Sequence, residues 1–320
     1  MEQAIDGKLQ AMDMRQLRAF LAVYEEGSFS RAAERINATQ PGLSVRISGL
    51  EADLRVQLFE RRARGVVPTV AGQRLYRRGI QILHDINAAV GEMHALSGTI
   101  SGSLAVGIPP TLSRAVLASV LSEFVKQAPN VDVRIVEAYS TTLVPLLESR
   151  ELDIAFVTHV PDHPGIAYDP IYADRFVLVS GPTLDLPAGE FISLDSEPTL
   201  KLVIPSPRHG LHKLIGEPFE TGRINAARTM EIDGLSGTLE FIADSDWAAL
   251  LPFAAVHNAA GDGLLRVNPI AGEDIVIRYF AARVASEPLE AAAVRFVSLA
   301  SAAFDHVARK WIDGEAARRA

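Results

Sequence analysis

The 320 residues predict an α/β protein in three parts: a winged helix-turn-helix, one long helix, and a larger region of two similar lobes. Three observations carry that prediction. Residues 28–54 read as two short helices joined by a tight turn, no proline interrupts the chain between Pro68 and Pro109, and beyond residue 102 short apolar strands alternate with amphipathic helices. A chain this long suits two or three domains with sizeable cores.

A first helix is predicted from Met14 to Glu25, because Leu17, Phe20, Leu21 and Tyr24 recur at the helical period before Gly27 and Ser28. Ser30 is read as the cap of the second helix, whose Ala32, Ala33 and Ile36 face inward, and Thr39 as the cap of the third, with Pro41 tolerated in its first turn. In the third helix Leu43, Ile47, Leu50 and Leu54 fall on one face. Beside them Gln40, Ser44 and Ser48 form a stripe of short donors and acceptors suited to base edges in a major groove. Residues 57–61 and 66–69 flank Arg64-Gly65, a hairpin signal that would make a wing.

Thr69 then caps a long helix in which Tyr76, Leu83, Ile86, Val90 and Met93 approximate a seven-residue repeat with a gap at Gly79. Such a stripe serves either a dimerising linker, the preferred reading, or packing on the helix's own domain. Residues 97–102 mark a boundary. Strands follow at 104–108, 131–136 and 152–157 with helices at 113–126 and 141–149. A second set has strands at 201–204, 229–232 and 248–251 with helices at 210–219 and 235–243. Residues 177–181 and 279–284 are the crossings, and a helix at 289–311 returns to the first lobe. The pattern reads as mainly parallel.

The net charge of −8 is unevenly spread. Residues 55–78 hold Arg55, Arg61, Arg62, Arg64, Arg74, Arg77 and Arg78 against the single acid Glu60, whereas acids exceed bases by ten beyond residue 99. The arginines suit phosphate contacts, and the acidic remainder disfavours nonspecific binding. Absence of cysteine removes disulfides, thiolate metal sites and cysteine nucleophiles. No basic region precedes an apolar run at the N-terminus and no stretch approaches bilayer length, so a cytoplasmic protein without a membrane partner is expected.

Over nearly its whole length the chain resembles LysR-type transcriptional regulators. The resemblance rests on Met14-Arg15-Gln16-Leu17-Arg18, Ser28-Phe29-Ser30-Arg31-Ala32-Ala33, Thr39-Gln40-Pro41-Gly42-Leu43-Ser44, Leu58-Phe59-Glu60-Arg61 and Pro68-Thr69-Val70-Ala71-Gly72. It implies an N-terminal extension at 1–11, either a misassigned start or a disordered arm. It further implies a winged helix-turn-helix at 12–70, a linker and dimerisation helix at 71–98, and a periplasmic-binding-protein-like effector domain at 102–320. Lobe I would hold 102–179 and 284–320, and lobe II 180–283. The implied partners are double-stranded DNA, a small-molecule effector, RNA polymerase and further copies of the chain, as homodimers assembling into homotetramers; no cofactor or metal is implied. The DNA contacts would come from Ser30, Arg31, Thr39, Gln40, Pro41, Ser44, Arg46, Ser48, Arg62, Arg64 and Thr69, with Arg64 entering the minor groove. Two positions depart from the family pattern. Val45 stands where many relatives are basic, and Arg55 where they place glycine.

In the resembling fold the effector lies between the lobes, ringed by helix N-termini. That places Pro110, Thr111 and Ser113 after the first strand, Ser140, Thr158 and His159 at strand ends, Arg208, His209 and Gly210 at the opening of a lobe II helix, and Trp247 as a candidate wall. Asp233-Gly234-Leu235-Ser236 opens a third helix. Hydroxyls with Arg208 or His209 point to a small carboxylate. Two rivals remain: an enzyme, and a two-lobed ligand-binding protein that does not act on DNA. The enzyme lacks a G-x-S-x-G elbow, a phosphate loop and a G-x-G-x-x-G fingerprint. His159 and His163 could pair on a metal only across Pro161, which breaks the helix their spacing needs.

Overall fold

The computed structural model describes residues 12–62, 65–96, 100–158, 163–187, 189–195, 200–207, 210–259, 264–272 and 275–319. Two compact units divide between Ala89 and Val90. The N-terminal extension read at 1–11 lies outside the described residues.

In the first unit, α1 (Met14–Glu26) opens on a capping box: the Gln16 amide donates to Asp13 Oδ1 (2.7 Å) and the Asp13 amide to Gln16 Oε1 (2.8 Å). Gly27 ends it with φ 57°, a left-handed turn that glycine adopts without strain. The extended residue Ser28, not Ser30, caps α2 (Phe29–Arg35), its Oγ accepting from the Arg31 amide. Ser30 falls inside the helix because the left-handed turn at Gly27 lets the next helix start at once. Thr39 caps α3 (Gln40–Leu54) as expected, its Oγ1 accepting from the Gly42 amide at 3.3 Å. Leu43, Ile47 and Leu50 join Leu17, Phe20, Ala32 and Ala33 in one core.

Arg55 ends α3 at φ 56°. A left-handed conformation costs a non-glycine residue about 1–2 kcal/mol, while the arginine adds a cation at a helix C-terminus. Strands β1 (Phe59–Arg62) and β2 (Gly65–Pro68) form the antiparallel wing, with Phe59 opposite Pro68. Glu51 fixes its base, Oε1 accepting from the amides of Leu58 (2.7 Å) and Phe59 (3.2 Å). Thr69 caps α4 (Val70–Leu96) through the Gly72 amide and donates to the Gln57 carbonyl.

The first part of the long helix follows the second reading, packing on its own unit. Leu75, Tyr76, Ile80 and Leu83 pack on their own unit, with Tyr76 stacked on Tyr24 at 3.9 Å between centroids. Ile82, Ile86 and Met93 are exposed. The gap at Gly79 has a local cause. A Cβ there would lie 2.8 Å from Leu17 Cδ1 and 3.2 Å from Leu21 Cδ2, so α4 crosses α1 too closely for a bulky side chain.

Among the described residues the second unit is built on one nine-stranded sheet of β3 (Ser101–Ile108), β4 (Asn130–Glu137), β5 (Ile154–Thr158), β6 (Ile166–Ser180), β7 (Lys201–Ile204), β8 (Arg228–Glu231), β9 (Trp247–Pro252), β10 (Arg266–Pro269) and β11 (Val276–Val284), ordered β4-β3-β5-β11-β6-β9-β7-β8 with β10 on β6. Lobe I pairs β3 (Ser101–Ile108) in parallel with β4 (Asn130–Glu137) and β5 (Ile154–Thr158). Lobe II pairs β7 (Lys201–Ile204) in parallel with β8 (Arg228–Glu231) and β9 (Trp247–Pro252). The sheet as a whole is mixed rather than mainly parallel. The crossings are longer than the sequence suggests: β6 (Ile166–Ser180) and β11 (Val276–Val284) run antiparallel to each other, and β10 (Arg266–Pro269) is antiparallel to β6. Alternation of strand and helix reports the parallel halves, but not the ribbon that joins them.

Over the sheet lie a helical turn (Pro110–Leu112) that runs through a π turn (Ser113–Leu117) into α5 (Ala118–Gln127), then α6 (Ser140–Glu148), α7 (His212–Glu220), α8 (Leu235–Ala243) and α9 (Ala291–Arg319). The segment Ala291–Ile312 is long and apolar enough to cross a bilayer, which corrects the expectation that no such stretch exists. Its Phe296, Ala300, Phe304 and Val307 are buried in the lobe I core against Phe124 and Phe156. That packing accounts for the apolar face.

Candidate functional site

The first unit presents α3 with one face in the core and the opposite face outward. Gln40, Pro41, Val45, Arg46 and Ser48 are exposed and Ser44 is half-buried beside Leu43 and Ile47. Spacing of four residues puts Gln40, Ser44 and Ser48 in one row. Val45, 72% exposed, stands next to that row and brings a branched apolar surface where a thymine methyl is a suitable partner. On α2, Ser30 and Arg31 are exposed, and Arg31 also bonds Glu26. Thr39 and Thr69 are occupied by their caps, so their hydroxyls hold the helix starts in place. Arg64 and the side chain of Arg62 lie outside the described residues.

In the second unit a cleft between the lobes encloses about 410 Å³, part of it open to solvent, lined by Pro109, Thr111, Tyr139, Ser140, Thr158 and Tyr279 among others. Its polar floor is a set of paired hydroxyls. Thr158 ends β5, and its Oγ1 and amide each lie 3.1 Å from Ser140 Oγ. Thr158 pairs across the ladder with Tyr279 of β11, whose fully buried hydroxyl meets Thr111 Oγ1 at 3.3 Å. Burial holds the Tyr279 phenol far above its ordinary range, so it stays protonated and neutral. Helix α6 begins here, and no side chain caps its start at Tyr139. The lining residues Ser140 and Thr141 occupy the first two positions of α6, where amides lack partners within the helix.

Of the expected effector residues, Thr111, Ser140, Thr158 and Gly210 line this space. Ser140 does so as the first residue of α6, not at a strand end, since β4 stops at Glu137. Pro110 and Ser113 do not line it; Pro109 holds the lining place, and Ser113 starts the π turn. Trp247 begins β9, packed in the lobe II core beside Phe241 with the Arg228 guanidinium 5.7 Å from its ring centre. It is a core residue, and the cleft wall is formed without it. His159, Arg208 and His209 lie outside the described residues. Helix α7 starts at His212, two residues beyond the expected opening. His163 pairs with Glu148 at 3.1 Å.

Local sequence patterns pass over Tyr139, Thr141, Leu211 and Tyr279, which also line the space. Tyr139 bridges the lobes, its hydroxyl donating to the Asp233 carbonyl at 2.7 Å, while Asp233 accepts from the Ser206 amide at 2.8 Å. Burial first, then the charges of Asp233 and Glu137, hold the Tyr139 phenol up, which keeps it a donor.

Asp174 marks the junction in β6. Arg175 still pairs with β11, whereas Phe176 pairs with β9. The Asp174 side chain accepts from the amides of Ala254 (2.8 Å) and Arg175 (2.9 Å) and from the Tyr172 hydroxyl (3.1 Å). Burial nevertheless outweighs those donors and raises its pKa to about 6. A folded-state pKa above the unfolded one favours the protonated fold. The Asp174 contribution is therefore most favourable below about pH 4 and is lost as pH rises through 6, on the order of 2–3 kcal/mol. Asp174→Asn should flatten the pH dependence of the second unit's unfolding midpoint between pH 4 and 7. An unchanged slope in the variant would assign that dependence elsewhere.

Residues 14–73 match the family "Bacterial regulatory helix-turn-helix protein, lysR family", and residues 97–305 match "LysR substrate binding domain". A probable hydrogen peroxide-inducible genes activator of Streptomyces viridosporus is 33% identical, covering 76% of this chain and 78% of its own. The nitrogen assimilation regulatory protein nac of Klebsiella aerogenes is 29% identical over 78% of this chain and 81% of its own. Among solved structures, a full-length OxyR variant of Pseudomonas aeruginosa has a TM-score of 0.68 at 21% identity, covering 90% of this chain and 94% of that one. CbnR, a LysR family transcriptional regulator, has a TM-score of 0.65 at 21% identity, covering 91% and 99%. A DNA-reading helix in one unit, a two-lobed substrate-binding domain in the other and both family matches lead to one assignment: the chain belongs to the LysR family of DNA-binding transcriptional regulators.

Proposed function

We propose that this regulator binds a small carboxylate in the cleft of its second unit, and that occupancy changes how its dimers, assembled into tetramers, grip operator DNA and engage RNA polymerase. The observation that supports it is the hydroxyl set Thr111, Ser140 and Thr158 at the uncapped start of α6. Helix amides and hydroxyls together favour an anion, and the apolar walls from Pro109, Leu211 and the two tyrosines suit a compact carbon body. The protein acts by binding, not by turnover, in the cytoplasm. The 320 residues contain no cysteine, so a peroxide signal cannot be read here through a thiol, whatever the named role of some relatives.

On DNA the reading residues are Gln40, Pro41, Ser44, Arg46 and Ser48, supported by Ser30 and Arg31 and by the wing arginines Arg62 and Arg64. The test is a thermal-shift screen of aromatic, dicarboxylic and nitrogen-containing acids on the full chain, followed by footprinting of dyad-symmetric DNA upstream of a divergent gene. A true effector raises the midpoint with concentration, by about 2.7 kcal/mol of stabilisation at a hundred times its Kd, and alters the footprint. Thr158→Val should weaken that acid about tenfold, and Ser44→Ala should lose operator preference while dimerisation remains. A midpoint rise untouched by Thr158→Val, or equal affinity of the parent protein for operator and random DNA, would overturn the reading.

A further inference from the structure

A second cavity, about 1060 Å³ and partly open to solvent, lies in the second unit between the π turn with α5 on one side and α9 on the other. The residues after the 3-10 turn Phe253–Ala255 close one end. Two cations and two histidines from three separate elements line it: Arg114, His257, His306 and Lys310. Among the described residues, Arg114, His257 and Lys310 are held by neutral acceptors. Arg114 Nε donates to the Ala255 carbonyl (2.9 Å), His257 Nδ1 lies 2.8 Å from the Ala254 carbonyl, and Lys310 Nζ donates to Asn258 Oδ1 (2.8 Å). The one carboxylate on the lining, Glu123, bonds instead to Gln127 and Lys126. Ala115, Ala118, Ala302 and Ala303 leave the walls shallow.

The cluster holds positive charge that no carboxylate among the described residues pairs with. Its effect is visible at His257, whose pKa is lowered, first by burial and further by Lys310, His306 and Arg114. Gathering the Arg114 guanidinium and the Lys310 ammonium on one concave surface is unfavourable unless something offsets it. We infer that this cavity is a second ligand site, separate from the interlobe cleft, for a small anion carrying two or more negative charges. A fixed guanidinium, an ammonium and two imidazoles within one concave surface match adjacent anionic oxygens of a phosphate ester or of a polycarboxylate. The volume leaves room for a carbon body beyond the charged group.

Histidine NMR on the full chain without DNA tests the site. Resonances of His257 and His306 are assigned by His257→Gln and His306→Gln, and pyrophosphate and citrate are titrated against chloride at matched ionic strength. Saturable shifts of both histidines are expected with at least one of the two anions. Pyrophosphate alone identifies a phosphate-bearing ligand, citrate alone a polycarboxylate, and either supports the site. Arg114→Gln with Lys310→Gln should weaken the apparent Kd by about a hundredfold, and Lys310→Gln alone, an exposed position that leaves the fold intact, by about tenfold. Thr158→Val should leave the shifts unchanged. Shifts no larger than those in chloride, shifts that survive in Lys310→Gln at full affinity, or shifts abolished by Thr158→Val would each overturn the inference.

Discussion

Phe296→Ala is expected to destabilise the second unit by about 3–5 kcal/mol, the range for deleting a fully buried aromatic ring. Phe296 lies in α9 with its ring centre 5.4 Å from Phe124 and 6.2 Å from Phe156; Phe156 is in turn 6.2 Å from Phe304. The ring thus joins α5, β5 and α9, and its removal leaves a cavity that three rigid elements cannot close. For a unit of this size such a loss lowers the midpoint by roughly 6–20 °C. Both tryptophans, Trp247 and Trp311, belong to the second unit, so tryptophan fluorescence follows its unfolding without interference from the first. A loss below about 1 kcal/mol would mean the aromatic cluster is looser than its geometry indicates.

Gly79→Val should damage the first unit by a smaller amount, through excess volume instead of a void. The added Cβ meets Leu17 and Leu21, both buried against Phe20 and the α3 leucines, so neither can swing aside. Overpacking of this kind costs about 1–3 kcal/mol, and a β-branched side chain lies at the upper end. Gly79→Ala makes the useful contrast. It gains about 1 kcal/mol of helix propensity, which offsets the milder clash and leaves stability nearly unchanged. Far-UV circular dichroism of the unit and operator affinity by gel shift would separate the two variants. Equal stability of the valine and alanine proteins would show that α4 shifts freely over α1.

The contrast between these sites and the cleft explains what could be read in advance. Thr39, the α3 core stripe and the strand Lys201–Ile204 are local: a cap, a period and a short apolar run lie within a few residues of one another. Ser28 and Ser30 are two hydroxyls two residues apart, and only the left-handed turn at Gly27 decides which one caps α2. Thr111, Ser140 and Thr158 were legible as hydroxyls at helix starts and strand ends. Tyr279 was not, because its place beside Thr158 depends on antiparallel pairing between strands more than a hundred residues apart. Asp174 was equally silent, since burial of a lone carboxylate leaves no periodic trace. The gap at Gly79 was visible, but its cause required the partner helix.

The ribbon of β6 and β11 sets a mechanical limit on this regulator. Because β6 runs from the ladder with β11 directly into the ladder with β9, the two lobes are joined by a beam and not by a pivot. A ligand in the cleft can rotate one lobe against the other only by winding or unwinding that beam, since a larger swing would break its rungs. On the proposed function the domain is therefore expected to behave as a torsion spring, answering a ligand with small rotations in place of wide opening.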